Sequence, residues 1–210
     1  LIQPLTSIKG LGEAAIAQIL DNRPFENIED FIFNDGITYS KLNKKALDVL
    51  IRSQAANCLL DERFTSLKHF WASVAVERPK NRKKLNENIE FFDNEEEFSA
   101  EEKIQYLVDL TGVFPIDLVL NNEVREKLES NMIPPLGEYD PELQLTWFIP
   151  RKVVKRQTKN GSDYYIVEVI DSTSTVTKIK CWGVRTYDNV YINRPYMAKL
   201  DYNEQWGFST

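Results

Sequence analysis

Apolar residues recur at two different spacings along this chain, and the spacing changes near residue 141. Before that point they follow one another at three- and four-residue intervals, as Leu47, Leu50 and Ile51 do, which is the period of an amphipathic α-helix. Beyond it, apolar and polar residues alternate, which is the period of a β-strand with one buried face. The pattern therefore predicts a multidomain α+β chain with helices first and strands last.

Short helices separated by turns are predicted for the first part of the chain. Ser99 precedes one of them with Glu102 three residues later, an arrangement in which each side chain accepts a hydrogen bond from the other residue's backbone N–H. Gly112 is expected to end that helix, since glycine favours the left-handed backbone of a helix C-terminus. The predicted helices include residues 14–20, 28–31, 44–53, 66–75, 99–110 and 122–130, and residues 78–97 are predicted to form a linker.

The last third of the chain is predicted to be a small β-domain. Five strands in about 65 residues, with a break after the third, fit an oligonucleotide-binding (OB) barrel. The alternation places the strands at 143–155, 163–170, 175–182, 194–202 and 205–208, with turns at 159–162 and 172–174 and a short crossover at 187–190.

The net charge of −6 is unevenly spread along the chain. It is 0 for residues 1–80, −10 for residues 81–142 and +4 for residues 143–210. Because charge acts over about 10 Å at moderate salt, segments of different charge favour different partners. The predicted division is a helix-hairpin-helix domain over 1–77, an acidic helical connector over 78–142 and an OB domain over 143–210.

Composition excludes several classes of protein. The chain is expected to be globular and cytoplasmic, because it has no apolar run of membrane length and because Cys58 and Cys181 are too few for a disulfide framework. The single His69 lies in an apolar helical pattern and is expected to be a core or surface residue, not a catalytic base. The acidic run at 95–97 is expected to be solvated. With no phosphate loop, nucleophile motif or metal-ligand cluster, no catalytic residue and no cofactor are predicted within this chain.

One turn carries a signal for nucleic-acid binding. Ile8, Lys9, Gly10, Leu11 and Gly12 place two glycines around one apolar residue, immediately before a helical pattern. Such a tight turn needs a residue without a Cβ where φ is positive, and it leaves N–H groups unpaired at the start of the second helix. Those donors suit a phosphate oxygen. Residues 5–20 are therefore interpreted as a helix-hairpin-helix that grips a nucleic-acid backbone, and a helical hairpin with an ordinary glycine turn is the alternative.

A second candidate binding surface lies on the predicted barrel. Lys178, Lys180 and Trp182 alternate with apolar residues that should point inward, so the three share an outer face. Cations beside exposed aromatic rings favour single-stranded nucleic acid, because phosphates take the charge and bases stack on the rings. The alternative is a solvated basic face with a core tryptophan. The cations of the first strand and its turn are expected to contribute: Arg151, Lys152, Lys155, Arg156 and Lys159.

The order of these segments resembles the C-terminal part of the DNA polymerase III alpha subunits, the C-family polymerases. The resemblance is to a bacterial or a phage-encoded member of that family. The likeness covers the first 65 residues or so and then returns more weakly at 102–112. The sequence departs from the family at Gln54, where the family has glycine, and at Asn57, where it has aspartate. The matching segments are Ile-Lys-Gly-Leu-Gly-Glu-Ala at 8–14, Arg-Pro-Phe at 23–25, Glu-Asp-Phe at 29–31, Leu-Asn-Lys-Lys-Ala-Leu at 42–47, Leu-Ile at 50–51, and Arg63.

The resemblance implies that the chain is part of a DNA-directed DNA polymerase. A start at Leu1 is expected of a fragment, and the resemblance implies that the catalytic aspartates and their Mg²⁺ precede it. It further implies that the hairpin holds duplex DNA and the OB domain holds the single-stranded template. The family also has a peptide between these domains that binds the sliding clamp, and one segment of this chain follows the pattern of that peptide. The alternative is that this segment packs against the domain to which it belongs. That segment is Asn88, Ile89, Glu90, Phe91 and Phe92, with asparagine in place of glutamine.

Two other classes of function remain open. The barrel and the connector could dock other replisome proteins, with an incidental affinity for DNA, and the salt dependence of binding separates this class from a true phosphate binder. Repair and recombination proteins also join hairpins to OB barrels. In those proteins the barrel precedes the hairpin, whereas here it follows.

Overall fold

The computed structural model describes residues 4–183 and 191–210, and the chain divides into two compact units, Leu1–Phe114 and Pro115–Thr210. The segment predicted as a connector, 78–142, contributes helices to both units. The predicted crossover at 187–190 lies outside the described residues. In the described ranges, no helix has the length and apolar character needed to cross a lipid bilayer.

The first unit is all-helical, and side-chain caps start most of its helices. The N-caps are Asn27, Asn43, Ser66, Asn81 and Ser99, and the predicted capping box between Ser99 and Glu102 is confirmed. The helices are α1 (Glu13–Asn22), α2 (Ile28–Ile32), α3 (Lys44–Arg52), α4 (Leu67–Trp71), which runs on into a π-helical segment (Ala72–Val76), α5 (Arg82–Phe91) and α6 (Ala100–Thr111).

One apolar core holds these helices together. Ile28, Ile51, Phe70 and Leu85 are fully buried in it and come from four different helices, α2 to α5. Because each helix gives only one stripe of apolar residues to this core, the three- and four-residue spacing in the sequence was sufficient to predict most of them.

The prediction of a linker over 78–97 is wrong where α5 lies. Asn81 caps this helix by accepting a hydrogen bond from the Lys84 N–H, and Leu85 is fully buried. The Asn88 amide donates to the carbonyl oxygens of Ser73 and Glu77, at the π-helical segment. The charged residues around these few buried positions obscure the helical period in the sequence.

The acidic run after α5 is docked and not merely solvated. Glu97 accepts hydrogen bonds from the backbone N–H groups of Leu67 and Lys68, at the start of α4, and forms an ion pair with Lys103 at 3.1 Å. Burial opposes the charged form of this carboxylate. The Lys103 ammonium and the backbone donors outweigh burial, so the pKa of Glu97 lies below its usual value.

The second unit combines two short helices with a curled, mixed sheet. Its apolar core includes Phe148, Val167, Ile179, Cys181 and Leu200. The elements are α7 (Ile116–Val119), α8 (Asn122–Ser130), β1 (Leu145–Gln157), β2 (Asp163–Ile170), β3 (Val176–Trp182), β4 (Tyr196–Lys199), β5 (Asp201–Asn203) and β6 (Gly207–Ser209).

Over the described residues the sheet has six strands in the order β4-β1-β2-β3-β6-β5, and β3 and β6 pair in parallel. The long β1 pairs with β4 over Leu145–Phe148 and with β2 over Ile149–Gln157, and its pairing with β2 shifts register between Pro150 and Lys152. Only Leu200 separates β4 from β5, although they stand at opposite ends of the strand order. This curled arrangement is consistent with an OB-like fold.

Five strands were predicted and six are described, because the predicted strand over 194–202 is broken at one residue. Leu200 is buried, and its N–H donates to the Gln144 carbonyl outside the ladder. Tyr202, beyond the break, pairs with Phe208 of β6, whereas Met197, before it, pairs with Trp147 of β1. The two halves of one predicted strand therefore join different neighbours.

Candidate nucleic-acid interface

The glycine turn at residues 8–12 connects a short 3₁₀ turn (Leu5–Ser7) to α1. Ile8 and Leu11 are buried, which leaves the glycines on the surface. Gly10 has a φ of +89°, so the predicted need for a residue without a Cβ is met at this position. The turn thus presents its backbone to solvent at the start of α1.

The backbone donors of this turn fall into two groups. The Lys9 N–H donates to the Leu110 carbonyl, and the Leu11 N–H donates to the Ile8 carbonyl. In the part of the chain that the structure describes, the N–H groups of Gly10 and Gly12 have no acceptor, and Gly12 is an N-cap without a side chain to bond the first turn. Two exposed N–H groups, beside the exposed Lys9 side chain, therefore remain available to an anion.

Most of the residues predicted to form a binding face lie on β1 and β3, which flank β2 in the sheet. Ile179 and Cys181 are buried, so Lys178, Lys180 and Trp182 lie on the opposite, outer face. Strand pairing extends this face onto β2, because Trp182 pairs with Tyr164 and Lys178 pairs with Glu168. On β1, Arg156 and Lys152 occupy the same face, since they pair with Tyr164 and Glu168.

Aromatic rings occupy one end of this outer face. Trp182 is 45% exposed and stacks on Tyr164, with ring centres 4.6 Å apart and planes inclined by 22°. Trp206, in the turn between β5 and β6, is 63% exposed, and the Lys180 ammonium lies 5.1 Å from its ring centre. We call Tyr164, Trp182, Trp206 and Lys180 the aromatic platform. Sequence reasoning identified Trp182 and Lys180 but missed Tyr164 and Trp206.

The remaining predicted cations have different surroundings. Lys155 pairs with Tyr165 in the ladder, so it lies on the other face, where it forms a 2.6 Å ion pair with Asp163. This hydrogen bond to the carboxylate raises the pKa of Lys155. Arg151 is half-buried at the register shift of β1, and burial lowers the pKa of its guanidinium. Lys159 is exposed in the turn between β1 and β2.

The segment with the clamp-peptide pattern forms the last turn of α5 and the residue after it. Asn88 is 3% exposed and held by its two hydrogen bonds, and Ile89 packs partly against the core. Phe91 is 78% exposed and meets Phe92 edge to face, with ring centres 4.9 Å apart. Glu90 is also exposed and Phe92 is half-buried, so solvent reaches the second half of the segment and not its start.

His69 is a fully buried, satisfied residue. Its Nδ1 accepts a hydrogen bond from the Thr65 N–H, so the proton is assigned to Nε2, which lies 2.9 Å from the Ile89 carbonyl oxygen. In the described ranges, no group of three or more His, Cys, Asp or Glu side chains could hold a metal ion.

The first part of the chain matches a known protein family model. Residues 1–66 match the family model of the helix-hairpin-helix motif, which covers the glycine turn, α1, α2 and α3. This match supports DNA binding by the first unit. No curated protein is similar enough in sequence to be matched to the chain.

Proposed function

We propose that this chain is a DNA-binding region of a C-family replicative DNA polymerase, in which the hairpin holds the duplex backbone and the aromatic platform holds the single-stranded template. The observation that carries the proposal is the matched helix-hairpin-helix motif with its unbonded N–H groups at Gly10 and Gly12. Backbone donors contact phosphates regardless of the bases, as a polymerase requires. The resemblance of residues 8–63 supplies the polymerase context.

The platform supports the single-strand part of the proposal. Its two exposed tryptophans offer flat surfaces to unpaired bases, and Lys180, Lys178 and Arg156 offer charge to the phosphates. In OB folds, nucleic acid binds at the face of the second and third strands and at the neighbouring turns. Here β2 and β3 carry Tyr164 and Trp182, and the last turn carries Trp206.

The experiment is a pair of variants measured on duplex and on single-stranded DNA of the same sequence. Gly10→Val forces a branched side chain into a positive φ, and we expect it to weaken duplex binding about equally for all sequences. Trp182→Leu is expected to weaken single-strand binding by at least about fivefold, since stacking on one ring is worth about 1–3 kcal/mol per base. Each variant should leave the other substrate largely unaffected.

The matched control for the platform is Phe91→Leu, which removes an aromatic ring that is even more exposed than Trp182 but lies on α5. It should bind both DNA substrates normally. A sequence-selective loss in Gly10→Val would contradict phosphate contact at the hairpin. An equal loss of single-strand binding in Phe91→Leu and Trp182→Leu would contradict the platform.

A second function, binding of a sliding clamp, is favoured by the exposure of Phe91. A large apolar ring that is 78% exposed costs free energy unless a partner covers it. Asn88 is locked to the π-helical segment, so we propose that a clamp would engage the aromatic end of the segment, at Phe91 and Phe92. Phe91→Leu is therefore the variant in which clamp binding, and not DNA binding, should be lost.

A further inference from the structure

The hairpin has a backbone contact with a helix that lies beyond the matched motif. The Lys9 N–H donates to the Leu110 carbonyl oxygen, with 2.7 Å between nitrogen and oxygen, and Leu110 belongs to the last turn of α6. The last four carbonyls of a helix have no partner within the helix, so the hairpin satisfies one of them. Both the hairpin and α6 belong to the first unit.

A second contact fixes α6 on α3. The Arg52 guanidinium lies 4.6 Å from the centre of the Tyr106 ring and forms a 2.6 Å ion pair with Asp48. Asp48 in turn accepts a 2.7 Å hydrogen bond from the indole N–H of Trp71. Tyr106 and Leu110 are four residues apart, so they lie on one face of α6, and both pack against the first core.

The hairpin is therefore held from two sides. On one side the side chains of Ile8 and Leu11 are buried in the first core. On the other side Lys9 is bonded to α6. These contacts use neither the Gly10 N–H nor the Gly12 N–H, which have no acceptor among the described residues.

We infer that α6 is a positioning element of the hairpin, and that the stacking of Tyr106 on Arg52 anchors it. The inference rests on the proposed duplex contact of the hairpin. Release of α6 removes no donor that a phosphate would use. The release of α6 lets the turn move. Ordering the N–H donors on binding then costs more conformational entropy, so the affinity for duplex DNA falls.

The test compares Tyr106→Leu, which removes the ring from Arg52, with Tyr106→Phe, which keeps it. Leu85→Ala, a cavity in the same core on α5, is the control for lost stability. The readouts, taken well below the melting temperature, are the dissociation constant for duplex DNA and the hydrogen-exchange rate of the Lys9 amide. Tyr106→Leu should weaken duplex binding about two- to tenfold, the scale of one hydrogen bond, and should speed exchange at Lys9.

Tyr106→Phe is expected to have a dissociation constant and an exchange rate at Lys9 close to those of the unmodified chain. Leu85→Ala is expected to lower the melting temperature without weakening duplex binding or speeding exchange at Lys9. Normal duplex binding by Tyr106→Leu, with fast exchange at Lys9, would overturn the inference and leave the proposed function intact. Failure of the unmodified chain to bind duplex would overturn the proposed function, and this inference with it.

Discussion

Gln54 has a backbone conformation that ordinarily favours glycine, with a φ of +63°. It stands two residues after the end of α3, where the C-family pattern has glycine. A side chain in this left-handed region brings its Cβ close to the following carbonyl oxygen, which costs about 1–2 kcal/mol. Gln54 therefore holds a side chain in a strained backbone conformation.

Gln54→Gly should therefore raise the free energy of unfolding, by about 0.5–1 kcal/mol, since glycine relieves the strain but has more freedom to lose on folding. Urea denaturation measures the change. Lys45→Gly, at an exposed position within α3, is the control and should lower stability by about 1 kcal/mol. Destabilisation by both substitutions would show that Gln54 is not strained.

Sequence alone was sufficient to place Lys178, Lys180 and Trp182 on one face, because each strand has one buried face and alternation reveals it. Tyr164 and Trp206 join Trp182 and Lys180 through pairing between strands and through the turn after β5. A local pattern does not specify which residues meet across strands, so these two members of the platform required the structure.

At the scale of elements, α5 and the β4–β5 break show where local patterns fail. In α5 only Leu85 and Asn88 are buried among many charged residues, and Asn88 is a polar residue whose partners lie at the π-helical segment. At the break, Leu200 continues the alternation of its neighbours. Its N–H donates to the Gln144 carbonyl, and the strands on its two sides, β4 and β5, join β1 and β6, which the alternation along one strand does not reveal.

The docking of Glu97 at the start of α4 gives the first unit a dependence on pH. The pKa of Glu97 is lowered in the folded chain, so its carboxylate stabilises the fold fully above the unfolded value of about 4.5. That contribution is lost as the pH falls through the folded pKa. We expect Glu97→Gln to lower the melting temperature at neutral pH, and the difference from the unmodified chain to shrink below about pH 4.5.

Thermal unfolding followed by circular dichroism from pH 7 to pH 3 measures this difference. Glu96→Gln, at the neighbouring exposed position, is the matched control and should melt like the unmodified chain throughout. A difference for Glu97→Gln that stays constant down to the lowest pH would contradict a role for the charge.

At the scale of the whole molecule, the structure shows where the acidic and the basic excess of the chain lie. Some of the acidic side chains of residues 81–142 form ion pairs with lysines of the same unit, as Glu97 does with Lys103 and Glu95 with Lys68. The basic excess of residues 143–210 lies partly on the outer face of the sheet, at Lys178 and Arg156. A chain with a net charge of −6 can therefore still present local cationic surfaces to DNA.

The salt dependence of duplex binding tests the central claim, contact with backbone phosphates, most directly. The dissociation constant of the unmodified chain would be measured on one duplex over a series of salt concentrations. Each neutralised phosphate contributes about −0.9 to the slope of log affinity against log salt, so we predict a slope of about −2 or steeper. Lys9→Gln should make this slope shallower by about one. A flat dependence in the unmodified chain would contradict the account and favour a module that binds proteins.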